Sequence, residues 1–365
     1  MSLTSLARPL ATARWLEVLQ EEYLDDFVSS GGSVVKVATG PDAELDRVRR
    51  ALESKAREGD YWYAHLDPTA VDENGKKLDV HRIDRFFFEV TRRVDFRALA
   101  AEQARTHLES RGVRIAPHRA LNDLEGLAAD NGRDPADLMN QYQMELATPQ
   151  LRDQGMAVEF RTAVTALGRA QLMPDSAPPT TEEVLLGWFA GRSVPGGAAA
   201  LKKVQIYDRI TQANARTMLE SFCRWLPRIG RTGLVVTLDF RPYEYKKLSR
   251  TVRKDDLLKR LEGAIRSGAD HEELLRMLED PEPYAVHYSD NAYQQMLSMI
   301  RRFIDEIDWF ERFMLVVLTT PAFYDASSPR NYHNYDALQT RIGLEVRGAA
   351  RANPAASLVH LGGDA

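Results

Sequence analysis

Gly233-Leu234-Val235-Val236-Thr237-Leu238-Asp239 opens on a glycine, stays almost wholly apolar and closes on a carboxylate. A strand with no polar face must be covered on both sides, as a central strand of a parallel sheet is. Phe313-Met314-Leu315-Val316-Val317-Leu318-Thr319-Thr320 repeats the pattern, polar only at its end. Nearer the N-terminus, Ser33-Val34-Val35-Lys36-Val37-Ala38-Thr39 is β-rich, Gly40-Pro41-Asp42 turns the chain, and Ala43 to Arg57 has the composition of a helix. Tyr61-Trp62-Tyr63-Ala64-His65-Leu66 follows as a further strand, stopped by Asp67-Pro68. Strand, turn, helix and strand in that order predict an α/β fold with a mostly parallel sheet.

Helices fill the space between these strands. One is expected over Ala11 to Val28, ended by Gly31-Gly32. From Ile83 to Leu172 the chain is helical in character, with Phe86, Val90, Val94 and Leu99 on one stretch and Ala136 to Leu146 and Ala157 to Leu172 as others. Breakers at Asn131-Gly132 and from Pro174 to Pro179 set this block apart. It is expected to be an insertion, separable from the sheet and carrying contact surface for partners. Helices are also expected at Glu182 to Ala190 and Ile206 to Leu226. Tyr293, Met296, Leu297, Ile300, Phe303, Ile304, Ile307 and Phe310 repeat at helical spacing and mark another. The segments are 1–82, the N-terminal helix and first half of the core; 83–180, the helical insertion; and 181–365, the second half with the C-terminal segment.

With 365 residues, 44% hydrophobic and 28% charged, the chain has enough material for a large core. A single cysteine, Cys223, excludes an internal disulfide and fits a reducing cytoplasm. The apolar run Phe313 to Leu318 is far short of the roughly 20 residues that span a bilayer. No signal peptide is visible, so a cytoplasmic protein without a membrane partner is expected. With 48 basic against 53 acidic residues and a net charge of −5, nucleic acid is not expected to coat the surface generally.

Three segments resemble the P-loop ATP-binding proteins of bacteriophage exclusion (BREX) defence systems. They are Gly32 to Pro41, Leu185 to Gly191 with the helix leading into Gly233 to Asp239, and Leu315 to Phe323 with Tyr335 to Ile342 after it. The resemblance implies an AAA-like P-loop core, ATP and Mg²⁺ as cofactors, and work within a complex of protein subunits. It also assigns a nucleotide site to Gly40, Asp46, Arg47, Asp239 and Thr319.

The departures from that pattern are chemical. In G-x-x-x-x-G-K-[ST] the glycines let backbone N–H groups reach phosphate, the lysine neutralises it and the hydroxyl holds Mg²⁺. Counted from Gly40, Leu45 takes the place of the second glycine, Asp46 of the lysine and Arg47 of the hydroxyl. At about 4 Å and an effective dielectric near 20, one lost charge pair is worth roughly 4 kcal/mol. That is on the order of a thousandfold in affinity. Asp239 stands at the metal-organising aspartate, yet Phe240 follows where the family carries a catalytic glutamate. Thr319 and Thr320 match a polar sensor, or simply hydroxyls that satisfy strand-end backbone.

The eight histidines include no pair at metal-ligand spacing, and no G-x-S-x-G elbow occurs. Lys246, Lys247, Arg250, Arg253 and Lys254 lie in a basic stretch from Arg241 to Arg260, interleaved with Tyr243 and Tyr245. Such a stretch offers a phosphate track for DNA or a solvated helix face. Arg301, Arg302 and Arg312 have the chemistry of an arginine finger for a neighbouring subunit. The resulting expectation is a catalytically degenerate P-loop ATPase-like subunit, a scaffold or regulator in a phage-defence-type complex, with no bound cofactor. The alternatives are a residual ATPase using Arg47 and Asp239, and a DNA-binding adaptor using residues 241–260.

Overall fold

A computed structural model of the chain describes residues 9–70, 79–173, 180–244, 258–259, 261–266, 268, 288–325, 328, 330–342 and 353–363. Its strands are β1 (Leu10–Ala11), β2 (Ser33–Thr39), β3 (Trp62–Leu66), β4 (Leu234–Asp239), β5 (Phe313–Thr319) and β6 (Leu358–Gly362). They form one sheet in the order β1-β6-β2-β5-β4-β3, and every pairing is parallel. The α/β expectation therefore holds, and the four strands read from sequence are all present. β1 and β6 were not anticipated; both are short, and β1 is a two-residue pairing.

Alternation along β5 sorts the core into two layers. Phe313, Leu315 and Val317 face one cluster, and Met314, Val316 and Leu318 face the other. The second layer is built by α1 (Thr12–Val18), its π-helical continuation over Leu19–Val28, and α2 (Asp42–Glu58), through Trp15, Leu19, Leu45, Val48 and Leu52. The first contains α3 (Ile83–Thr91), α4 (Phe96–Ser110), α8 (Val158–Leu172), α9 (Thr180–Phe189), α11 (Ala215–Trp225) and α13 (Asp290–Asp305). Between them in the chain lie α5 (Leu124–Asn131), α6 (Pro135–Tyr142), α7 (Thr148–Arg152) and α10 (Gly197–Lys203). Two further short helices are α12 (Arg241–Glu244) and α14 (Asp336–Ile342). No helix among the described residues is long and apolar enough to cross a membrane.

The helical block divides in a way its periodicity did not reveal. Its distal part has a core of its own around Leu108, Leu127, Leu138 and Tyr142. Its proximal helices belong to the main core: Phe96 stacks on Phe189 at 3.8 Å, and Phe160 meets Trp225 at 6.1 Å. Aromatic pairs of this kind add to the large area they bury. The block expected to be separable from the sheet thus shares the main core, its proximal helices packing with α9 and α11.

Two further boundaries differ. The helix expected from Ile206 begins only at Ala215. Asn214 accepts from the Thr211 N–H (2.7 Å) and donates to the Arg209 carbonyl (3.0 Å), local bonds that compete with helix formation. The helix carrying Tyr293 to Phe303 ends at Asp305, so Ile307 and Phe310 lie beyond it. Gly233 is required where β4 begins, since a Cβ there would lie 2.3 Å from the Arg312 carbonyl oxygen.

Candidate functional site

The sheet brings the C-terminal ends of β2, β5 and β4 side by side, with Thr39 opposite Thr319 and Asp239 opposite Leu318. Ligands of open parallel sheets bind at this edge. Gly40, Asp46, Asp239 and Thr319 all gather here. Arg47 stays on the flank of α2, with Glu44 at 3.7 Å.

A phosphate cradle is not formed. Only Gly40 and Pro41 separate β2 from α2, and the backbone is helical from Asp42 onward. Leu45, Asp46 and Arg47 therefore lie within the first turns of a helix, with Leu45 fully buried in the core. Gly40 serves a different contact: a Cβ there would come within 3.1 Å of the Leu361 carbonyl oxygen on β6. The positive end of α2 already faces its own carboxylates, Asp42 and Glu44, in the first turn.

An arginine fills the space in front of the strand ends. Arg241 donates from Nε to Asp239 Oδ1 (2.9 Å) and from Nη2 to Asp239 Oδ2 (2.7 Å), a bidentate pair. The same guanidinium reaches Asp42 at 2.9 Å and Asp46 at 3.0 Å. The Arg241 side chain is 17% exposed and that of Asp239 12%, against 73% for Asp42 and 48% for Asp46. The Asp239 pair is thus the sheltered one, and the other two are screened by water. The hydrogen bonds Arg241 donates to Asp239 first, then the Asp239 charge and the hydrogen bonds to Asp42 and Asp46, hold Arg241 further from deprotonation than an ordinary arginine. Asp239 also accepts from the Arg241 backbone N–H (3.1 Å), an Asx-type turn that fixes the corner after β4.

Phe240, where the resemblance expects a catalytic glutamate, is fully buried and packs on Tyr243, Tyr293 and Phe323. Thr319 donates to the Ala38 carbonyl (3.2 Å), and Thr39 donates to the Thr320 carbonyl (2.7 Å). These hydroxyls satisfy strand-end backbone.

Glu244 escaped notice in the sequence. It is buried beside the end of β5, and its two oxygens accept from the Thr320 N–H at 3.1 and 3.0 Å. Desolvation pushes its carboxyl up to about 8 despite those bonds, and the Asp239 charge adds to the rise. Nothing in local patterning marks such a residue, because the effect comes from chain segments far apart. Arg241 had a signal, its place two residues after a strand-end aspartate. It had been grouped instead with the basic stretch.

Lys246, Lys247, Arg250, Arg253 and Lys254 lie outside the described residues. Arg312 donates to the Ser29 carbonyl at the opposite end of β5, and Arg301 pairs with Asp305 at 2.8 Å. Arg302 lines a separate cavity of about 590 Å³ with Arg82, Arg216 and Glu306. Comparison of the chain with protein-family models, curated proteins and solved structures returned no match.

Proposed function

We propose that this chain is a catalytically degenerate, P-loop-like ATPase subunit that works as a scaffold or regulator inside a protein complex. The resemblance implies that the complex belongs to anti-phage defence; that part of the reading rests on the resemblance alone. One observation carries the proposal. The Arg241 guanidinium sits at the strand-end carboxylate Asp239, where an AAA-like enzyme would bring magnesium and phosphate.

Two further facts support it. The strand ends to which the resemblance assigns a nucleotide site are neighbours in the sheet. β5, ending in Thr319, lies between β2, which leads to Gly40, and β4, which ends at Asp239. Meanwhile each catalytic device is replaced by a structural one: a helix for the phosphate loop, an aromatic core residue for the glutamate, and an ion pair for the metal. A parallel sheet with these strand ends and without such chemistry fits a subunit that contributes surface, an argument from fold-level analogy.

The test is turnover in two preparations. The purified chain should hydrolyse no ATP, whereas an assembly isolated from native cells through a tag on this chain should do so. Hydrolysis by the isolated chain, abolished by Asp239→Asn, would instead establish a residual ATPase.

A further inference from the structure

β3 is the last strand of the sheet among the described residues, and its outer edge is open. Trp62 N–H donates to the Gly233 carbonyl at 2.8 Å, so Trp62, Ala64 and Leu66 turn their backbone groups toward β4. By the alternation of a parallel ladder, Tyr63 and His65 present theirs outward. Those two residues are also held firmly. The buried Thr237 hydroxyl lies 2.8 Å from the Tyr63 hydroxyl and 2.9 Å from His65 Nδ1, tying both side chains to β4. A rigid edge loses little freedom on pairing.

The edge lies in a groove of about 890 Å³ that follows the strand from Asp60 to His65 and on to Asp67. One wall is α2, through Arg49, Glu53 and Arg57; the other is the end of α3 and the residues after it, through Glu89, Arg92 and Arg93. Natural edges are protected by cover or charge. Here both faces are flanked by helices, so a second copy's sheet edge, carrying its own helices, would collide before its backbone could pair. A single extended chain fits between the walls.

The charges favour an acidic one. Arg49 and Arg57 share Glu53, and Arg92 is beside Glu89 at 3.4 Å. Arg93 is exposed and makes no ion pair among the described residues. Arg231, at the groove's end, lies 3.8 Å from Asp60 and has a buried Nε without a hydrogen-bond partner among the described residues. With Asp67 the lining thus holds four carboxylates against five arginines, and Arg93 supplies the excess positive charge. We propose that an extended acidic segment of another protein docks in this groove as an added strand on β3. Backbone bonds to Tyr63 and His65 would give affinity, and the arginine walls would select against neutral or basic strands. This proposal does not depend on the pseudo-ATPase reading.

The probe is a fluorescein-labelled peptide of about seven alternating valine and glutamate residues, long enough to cover β3 at roughly 3.3 Å per residue. Its lysine counterpart, and the glutamate peptide N-methylated on alternate backbone nitrogens, are the comparators. Fluorescence anisotropy at low salt should show the glutamate peptide binding at least about tenfold more tightly than either. Arg93→Glu, an exposed change that spares the fold, should weaken the glutamate peptide about fivefold or more. His65→Pro removes an outward-facing donor, which an edge strand tolerates, and should weaken it similarly. No binding up to about 1 mM, equal binding of all three peptides, or binding indifferent to Arg93→Glu would overturn the proposal. So would a stable dimer of the chain that His65→Pro dissociates, because the edge would then belong to a second copy.

Discussion

Two edges of one sheet meet their unsatisfied groups in opposite ways. At the C-terminal edge, Asp239 is neutralised by Arg241 two residues later, and the hydroxyls of Thr39 and Thr319 turn back onto neighbouring carbonyls. Along β3, the outward backbone of Tyr63 and His65 finds no strand among the described residues, and a groove runs beside it. Parallel sheets carry ligands at the first kind of edge and aggregation risk at the second. In this chain the usual ligand edge is closed by its own side chains, and the edge most proteins conceal is accessible.

The largest expected effect lies at the closed edge. Glu244 holds its proton up to about 8 when folded, against 4.5 for the unconstrained group. Between those values the folded chain binds more protons than the unfolded one, so stability from this group is full below the lower value. It is lost as pH rises through the upper one. At about 1.4 kcal/mol per unit the whole span is worth roughly 5 kcal/mol. Glu244→Gln keeps an acceptor for Thr320 but cannot titrate. Urea unfolding across that range should show wild type losing stability relative to Glu244→Gln as pH increases. Parallel profiles would mean that the carboxyl is already ionised in the fold.

Next in size is Arg241→Ala. It leaves Asp239 sheltered without its bidentate partner and should cost about 2 kcal/mol, below the range for a fully buried pair because the site is partly wet. Adding Asp239→Asn should recover much of that loss, which a double-mutant cycle would read directly. Additive effects would show that the two residues do not act as a pair. The open edge should behave differently. Arg93→Glu is expected to change stability by no more than about 0.5 kcal/mol, since surface substitutions away from packed features seldom do more. A larger loss would mean that Arg93 supports the fold and not a docking face.

Much of this contrast was legible in part. β4 and β5 announced themselves because a strand buried on both faces has few polar residues, β2 and β3 did so through their β-branched and aromatic runs, and the amphipathic spacing of Tyr293, Met296, Leu297 and Ile300 was equally plain. Asp46 and Phe240 stand where the resemblance expects a lysine and a glutamate, and that departure was legible in the sequence. What the spacing did not convey was that the phosphate loop is absent as a shape. Asp42 to Arg47 continue a helix because Leu45 and Val48 are drawn into the core beneath α2. Arg241 was hidden by its basic neighbours, although Asp239 before it was the cue. Glu244 and the groove along β3 depend on which strands become neighbours, and a one-dimensional pattern does not carry that.

Titration calorimetry of the purified wild-type chain with Mg²⁺-ATP tests the closed edge most directly. With Arg241 held by three carboxylates and no loop to cradle phosphate, the expected result is no binding heat up to millimolar nucleotide and an unchanged melting temperature. A saturable isotherm, accompanied by the roughly 2.7 kcal/mol of stabilisation that a ligand at about a hundred times its Kd confers, would contradict it.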